Sequence, residues 1–315
     1  MLLLLLSILA SVRSDTDHTP IRLWDGAAPG DRPNTIGPEV YKRPDILTNV
    51  TVPTIIPYLV AGSDAAMIIA PGGSYKVLSM FAEGSDIAAW VNSIGVSAFV
   101  LKYRVPGRTW LPFGSAELMD AQRAVGLVRQ MADTGEIKGL NKSKIGFMGF
   151  SAGGHLTGHI NVEWKTRTYP HRDAADEQSC RPDASIMVYP WESVVEDPVN
   201  ADASQASAEN ITADTPRTML VQTEDDPVHV ENALYYWLHL KQHKVHSELH
   251  LYPTGGHGYG RCTPHTSNGA TSSLTARPGV DQVCTWPGRG KLFLQTIGIA
   301  PKTNTHVRSS SDKKE

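Results

Sequence analysis

Apolar and polar positions alternate along the chain in blocks, and the blocks have two different periods. Short apolar runs at Ala66–Ala70, Ser97–Tyr103, Lys144–Phe150, Ala184–Tyr189, Thr218–Thr223 and Ser247–Tyr252 have the length of strands. Between or after them, Glu83–Ile94, Ala116–Ala132, His229–His243 and Gly290–Ile299 repeat their apolar residues at helical spacing. Strands separated by helices predict a parallel sheet covered on both faces, an α/β architecture. Two patches near the start, Ile21–Trp24 and Val50–Val60, lie among Pro, Gly, Asn and Asp and read as edge strands. The rhythm breaks at Trp191–Pro216 and Arg261–Trp286, and long irregular segments in such a domain usually serve as binding loops or lids.

The first ten residues, with five consecutive Leu, are too short to span a bilayer but suit the apolar part of a signal peptide. The expected organisation is a signal peptide over 1–14, one domain over 21–300 and a disordered tail over 301–315. A secreted or periplasmic location follows from the leader, with no stable membrane anchor once it is removed. The 315 residues can bury a large core, and 29 Lys+Arg against 32 Asp+Glu give a net charge of -3. That balance offers no electrostatic footprint for nucleic acid.

The most specific local signal is Gly149-Phe150-Ser151-Ala152-Gly153, which follows one predicted strand and opens an apolar helical stretch through Leu156 and Ile160. A sharp strand-to-helix turn of this kind pushes a serine oxygen out of the backbone, and the small flanking residues let strand and helix approach. Ser151 is therefore the candidate nucleophile. Pro71-Gly72-Gly73-Ser74-Tyr75 follows the strand Ala66–Ala70, where the amides of Gly73 and Ser74, with that of Ala152, are candidate oxyanion donors. The loop lacks both the Lys-Ser/Thr pair of a P-loop and the spaced glycines of a dinucleotide site.

A serine needs a base, and the base needs a carboxylate, here in the chain order Ser, acid, His. His257, in Gly255-Gly256-His257-Gly258, follows the strand Ser247–Tyr252. Glu224-Asp225-Asp226-Pro227 follows Thr218–Thr223, and Asp226 is preferred because it precedes the Pro that turns the chain, with Asp225 as the alternative. Of the 12 histidines, His239, His243, His246 and His250 read as a solvated face. His155 and His159 share the i, i+4 spacing of zinc helices but lack the intervening Glu of the protease motif, so no metal and no cofactor is expected. Glu83-Gly84, Arg104 and Asp120 read as caps and helix-to-sheet ion pairs. With three cysteines and an export signal, Cys262 and Cys284 are expected to form a disulfide beside the histidine, leaving Cys180 free.

These residues resemble the α/β-hydrolase fold, and more narrowly the esterase/lipase group with acetylxylan-esterase-like and feruloyl-esterase-like members. The resemblance runs from about Ile21 to Ala300. It rests on Leu23-Trp24-Asp25-Gly26-Ala27-Ala28-Pro29-Gly30, the Pro71–Tyr75 loop, Asp120-Ala121-Gln122-Arg123-Ala124, Gly149–His155 and Tyr252–Gly260. Ser74 stands where such relatives commonly have a third glycine. The resemblance implies removal of small acyl groups from plant polysaccharides by a serine mechanism without metal, often after secretion. The expected function is a secreted serine esterase releasing acetyl groups from acylated carbohydrate such as xylan. The alternatives are a generic short-chain carboxylesterase and a binding protein that kept the fold and lost catalysis.

Overall fold

The structure is a computed structural model that describes residues 17–191, 210–262, 266–267, 270–271 and 280–302. The leader 1–14, most of the two irregular stretches and residues 303–315 of the tail lie outside the described residues. An eight-stranded sheet organises the chain: β1 (Ile21–Arg22), β2 (Thr54–Tyr58), β3 (Ala66–Ala70), β4 (Ser97–Lys102), β5 (Ile145–Phe150), β6 (Ala184–Val188), β7 (Arg217–Thr223) and β8 (Ser247–Tyr252). Their spatial order is β1-β2-β4-β3-β5-β6-β7-β8. The pairs β1/β2 and β2/β4 are antiparallel, and every pair from β4 to β8 is parallel. Every residue of β3, β5 and β6 is buried, as unbroken apolar runs require when helices cover both faces.

The helices of eight residues or more among the described residues are α1 (Asp86–Ser93), α2 (Ser115–Thr134), α3 (Ala152–Val162), α4 (Glu231–Gln242) and α5 (Trp286–Thr296). On one face α2 packs against α3, and Tyr236 of α4 reaches the Gly158 carbonyl of α3 at 3.4 Å. On the other, Trp90 of α1 meets Trp286 of α5 edge-on with ring centroids 5.2 Å apart. Among the described residues no helix is long and apolar enough to cross a membrane.

Boundaries differ from the sequence reading where local rules are overridden. The predicted helix Glu83–Ile94 is two pieces, a wide π turn over Phe81–Ser85 followed by α1. The last helix begins at Trp286, four residues early, with Pro287 in the first turn where its missing N–H costs nothing. The patch Val50–Val60 keeps only Thr54–Tyr58 as a strand, while Val50 makes an isolated bridge to Val105.

Arg104 and Asp120 form the expected ion pair, fully buried at 3.0 Å. Asp120 also accepts from the Trp24 indole at 2.8 Å, and Arg104 reaches the Pro29 carbonyl at 2.7 Å. This network seats the Leu23–Pro29 segment on α2. Because β3, β5, β7 and β8 run the same way, the loops after them emerge at one edge of the sheet, where open α/β sheets place their sites.

Candidate active site

β5 ends at Phe150 and α3 begins at Ala152, so the whole reversal falls on Ser151. Its backbone sits at φ 52 and ψ -119, a strained conformation for a side-chain-bearing residue. The surroundings enforce it, and they explain the glycines on either side. A Cβ on Gly149 would run into the Gly153 carbonyl, and one on Gly153 into the Ala70 carbonyl of β3.

Three loops bring the predicted residues together. Ser151 Oγ lies 2.8 Å from His257 Nε2. On the far side of the ring, His257 Nδ1 lies 3.0 and 2.9 Å from the two carboxylate oxygens of Asp226. The Asp226 carboxylate is buried and also accepts from the Val228 amide at 2.8 Å, which fixes its orientation. Asp225 points elsewhere, accepting from the Gly256 amide at 2.7 Å. Burial opposes its ionisation, but the Gly256 and Gly255 amides outweigh that and hold its carboxyl below the usual range. The adjacent aspartates thus divide the work: Asp226 faces the imidazole, and Asp225 braces the loop that carries it.

The Pro71–Tyr75 loop lies against the serine, since a Cβ on Gly72 would come within 2.8 Å of Ser151 Cβ. Gly73 adopts φ 137, Ser74 φ 54 and Tyr75 φ 53, a run of positive φ that turns successive amides the same way. Among the described residues, the amides of Gly73 and Ser74 donate to no other protein group. The amide of Ala152 opens α3, at the end where a helix presents unpaired donors.

Sequence reasoning assigned Glu83 to a cap or an ion pair, and the structure corrects this. Glu83 is buried and, among the described residues, makes no ion pair. One carboxylate oxygen accepts from the Gly72 amide at 2.7 Å and the other from the Tyr189 hydroxyl at 2.8 Å. The Tyr189 oxygen in turn accepts from the Gly260 amide at 3.0 Å, and its ring lies 5.0 Å from that of His257. One carboxylate therefore joins the loop beside the serine to the loop after the histidine. Burial is the main influence on it and raises its pKa, against the two hydrogen bonds. Its only sequence signal was a Glu in the turn before a helix, which is also where helix-dipole effects place acids.

The His155 and His159 rings lie with centroids 4.2 Å apart, tilted by 49°, and His155 Nδ1 bonds the Tyr75 hydroxyl at 2.8 Å. Burial drives both below the usual histidine range, His159 to about 4, so both are neutral packing residues at pH 7. Among the described residues, no group of three or more His, Cys, Asp or Glu is placed to hold a metal. Cys262 and Cys284 are bonded, with Cα atoms 5.5 Å apart, and Cys180 is a buried thiol.

A family described as having an alpha/beta hydrolase fold matches residues 67–213. An acetylxylan esterase of Xylanibacter ruminicola is 29% identical over 222 residues, covering 63% of this chain and 42% of that protein. An endo-1,4-beta-xylanase B of Butyrivibrio fibrisolvens is 31% identical over 207 residues, 61% of this chain and 32% of its own. The chain thus spans less than half the length of these two relatives. Among solved structures, an acetyl ester-xyloside bifunctional hydrolase from Caldicellulosiruptor lactoaceticus superposes with a TM-score of 0.67 at 30% identity. That match covers 90% of this chain and 97% of the other.

Proposed function

The chain belongs to the α/β-hydrolase family, and on that footing we propose that it is a serine esterase removing acetyl groups from xylan-like carbohydrate. The observation that carries the reading is the unbroken chain from Ser151 Oγ through the His257 ring to Asp226, at the ends of three parallel strands. The names of the matched relatives support acetylated xylan as the substrate class.

In this reading Ser151 Oγ attacks the ester carbonyl while His257 Nε2 takes its proton, and Asp226 holds the tautomer with Nδ1–H and stabilises the imidazolium. The amides of Gly73, Ser74 and Ala152 receive the developing oxyanion. His257 then returns the proton to the departing sugar oxygen, leaving an acyl-serine. A water, deprotonated by the same ring, attacks that ester, and the ring returns the proton to the departing Ser151 Oγ as acetic acid, which ionises to acetate, is released. Proton and charge balance within these three residues, so the reaction draws on no metal or cofactor. An exported enzyme would meet its polysaccharide directly, and N-terminal sequencing of protein from the culture medium tests the export.

The deciding experiment is acetate release from acetylated xylan and p-nitrophenyl acetate by wild type and Ser151→Ala. Removal of the nucleophile should lower turnover by several orders of magnitude, ~10⁴-fold or more, with the fold retained. Near-wild-type turnover by the variant defeats the mechanism. Turnover of the nitrophenyl ester without acetate release from xylan leaves a generic carboxylesterase, and silence on both leaves a binding protein.

A further inference from the structure

The turn that carries Ser74 and Tyr75 borders a cavity of about 510 Å³, which Pro106, Leu111 and Phe113 also line. An acetyl group needs only a small fraction of this space. The walls are largely apolar, and Phe113 at the rim is 61% exposed. Against that background Glu117, from the first turn of α2, also lines the cavity. It is 1% exposed, and its Oε1 has no hydrogen-bond partner among the described residues.

A buried acceptor left unsatisfied is costly, and the two nearby arginines do not relieve it. Arg104 is committed to Asp120, Asp31 and the carbonyls of Pro29 and Ala116. Arg108 is committed to Asp31 and the carbonyls of Pro106 and Val50. Residue 107, which also lines the cavity, is a glycine whose Cβ, if present, would sit 3.4 Å from Glu117 Oε1, so this buried oxygen lies just behind a stretch of wall that carries no side chain.

We infer that this cavity receives the sugar ring of the ester, and that Glu117 Oε1 hydrogen-bonds one of its hydroxyl groups. The inference rests on the carbohydrate-esterase reading and deepens it. Apolar and aromatic walls suit the C–H faces of a pyranose, and a lone buried carboxyl suits its hydroxyls. An alkyl acyl chain in the same space would leave Oε1 unpaired, and sites built to bond a hydroxyl discriminate against ligands that lack one. Burial, acting against the two arginines, pushes Glu117 up to about 7, so near neutrality the group can donate or accept.

The test compares kcat and KM for an acetylated methyl xyloside and for p-nitrophenyl acetate, which carries no hydroxyl. The readout is the ratio of the two kcat/KM values. Glu117→Leu removes an unpaired buried carboxyl at similar volume, and it should lower the ratio by about tenfold or more, mainly through KM for the xyloside. Glu117→Gln, which keeps a donor and an acceptor, should recover most of it. Phe113→Ala, at an exposed position that folding tolerates, should lower the ratio severalfold and gives a second reading if Glu117→Leu folds poorly. An unchanged ratio in Glu117→Leu or, where that variant fails to fold, in Phe113→Ala overturns the inference while the esterase reading stands. A wild type that turns over the nitrophenyl ester but not the xyloside overturns the inference together with the carbohydrate substrate, and leaves a generic carboxylesterase.

Discussion

Replacing Glu83 by Gln tests whether the site is held in register by a carboxylate that touches neither serine nor histidine. Glu83 presents two acceptors to two donors, the Gly72 amide and the Tyr189 hydroxyl. The tyrosine proton is committed to Glu83 because the Tyr189 oxygen already accepts from Gly260. A glutamine has one carbonyl oxygen, so one of the two donors must face an NH2 group. The loss of a hydrogen bond to a charged group is worth ~1.5–3 kcal/mol, and a stranded buried donor costs a similar amount. If the oxyanion loop moves to relieve this, a displacement of about 1 Å lowers turnover by on the order of 100-fold. We therefore expect Glu83→Gln to fold with reduced thermal stability and to lose ~10–100-fold in kcat on p-nitrophenyl acetate, with KM little changed. Tyr189→Phe, which keeps the bond to Gly72, should cost less in kcat. A folded Glu83→Gln enzyme with wild-type kcat refutes the positioning role, and an equal loss in KM would mark a substrate contact.

Asp226→Asn should cost about 10⁴-fold in kcat, because an amide beside Nδ1 permits the wrong tautomer, and Asp225→Asn should cost far less. The reverse order in steady-state kinetics would show that Asp225 serves the histidine. The bond between Cys262 and Cys284 closes a 22-residue separation, so the Cys262→Ser/Cys284→Ser pair should lose about 3 kcal/mol in denaturant unfolding. Three alkylatable thiols in the unreduced protein would deny the bond. Glu117, raised by burial from 4.5 to about 7, contributes stability that is full below pH 4.5 and is lost as pH rises to 7, at most ~3 kcal/mol. His159, lowered by burial from 6.5 to about 4, contributes stability that is full above pH 6.5 and is lost as pH falls to 4. These slopes oppose each other between pH 4.5 and 6.5, so the Tm of Glu117→Leu should rise with pH across that window more steeply than that of wild type. Parallel Tm curves would contradict it.

Much of the protein is legible in the order of its residues. Parallel buried strands announce themselves as unbroken apolar runs such as Ala66–Ala70, because both faces need covering whatever the neighbours are. The serine turn is nearly as legible: Gly149 is required by the Gly153 carbonyl four residues on, while Gly153 is required by the neighbouring strand β3 at Ala70, a close approach that the five-residue motif carries with it. His257 could be placed because it follows a strand, and strand ends share an edge in any such sheet. Tertiary structure alone decided which way each side chain points from these loops. The preference for Asp226 over Asp225 rested on the following proline, whereas the geometry separates them by partner, one imidazole and one amide. Glu83 and Glu117 look alike in sequence, each an acid at the start of a helical segment. One lies under two donors from distant loops and the other beside an open cavity with an unpaired oxygen. The energy of a buried carboxylate is set by what reaches it through space, and that depends on strand order and helix packing.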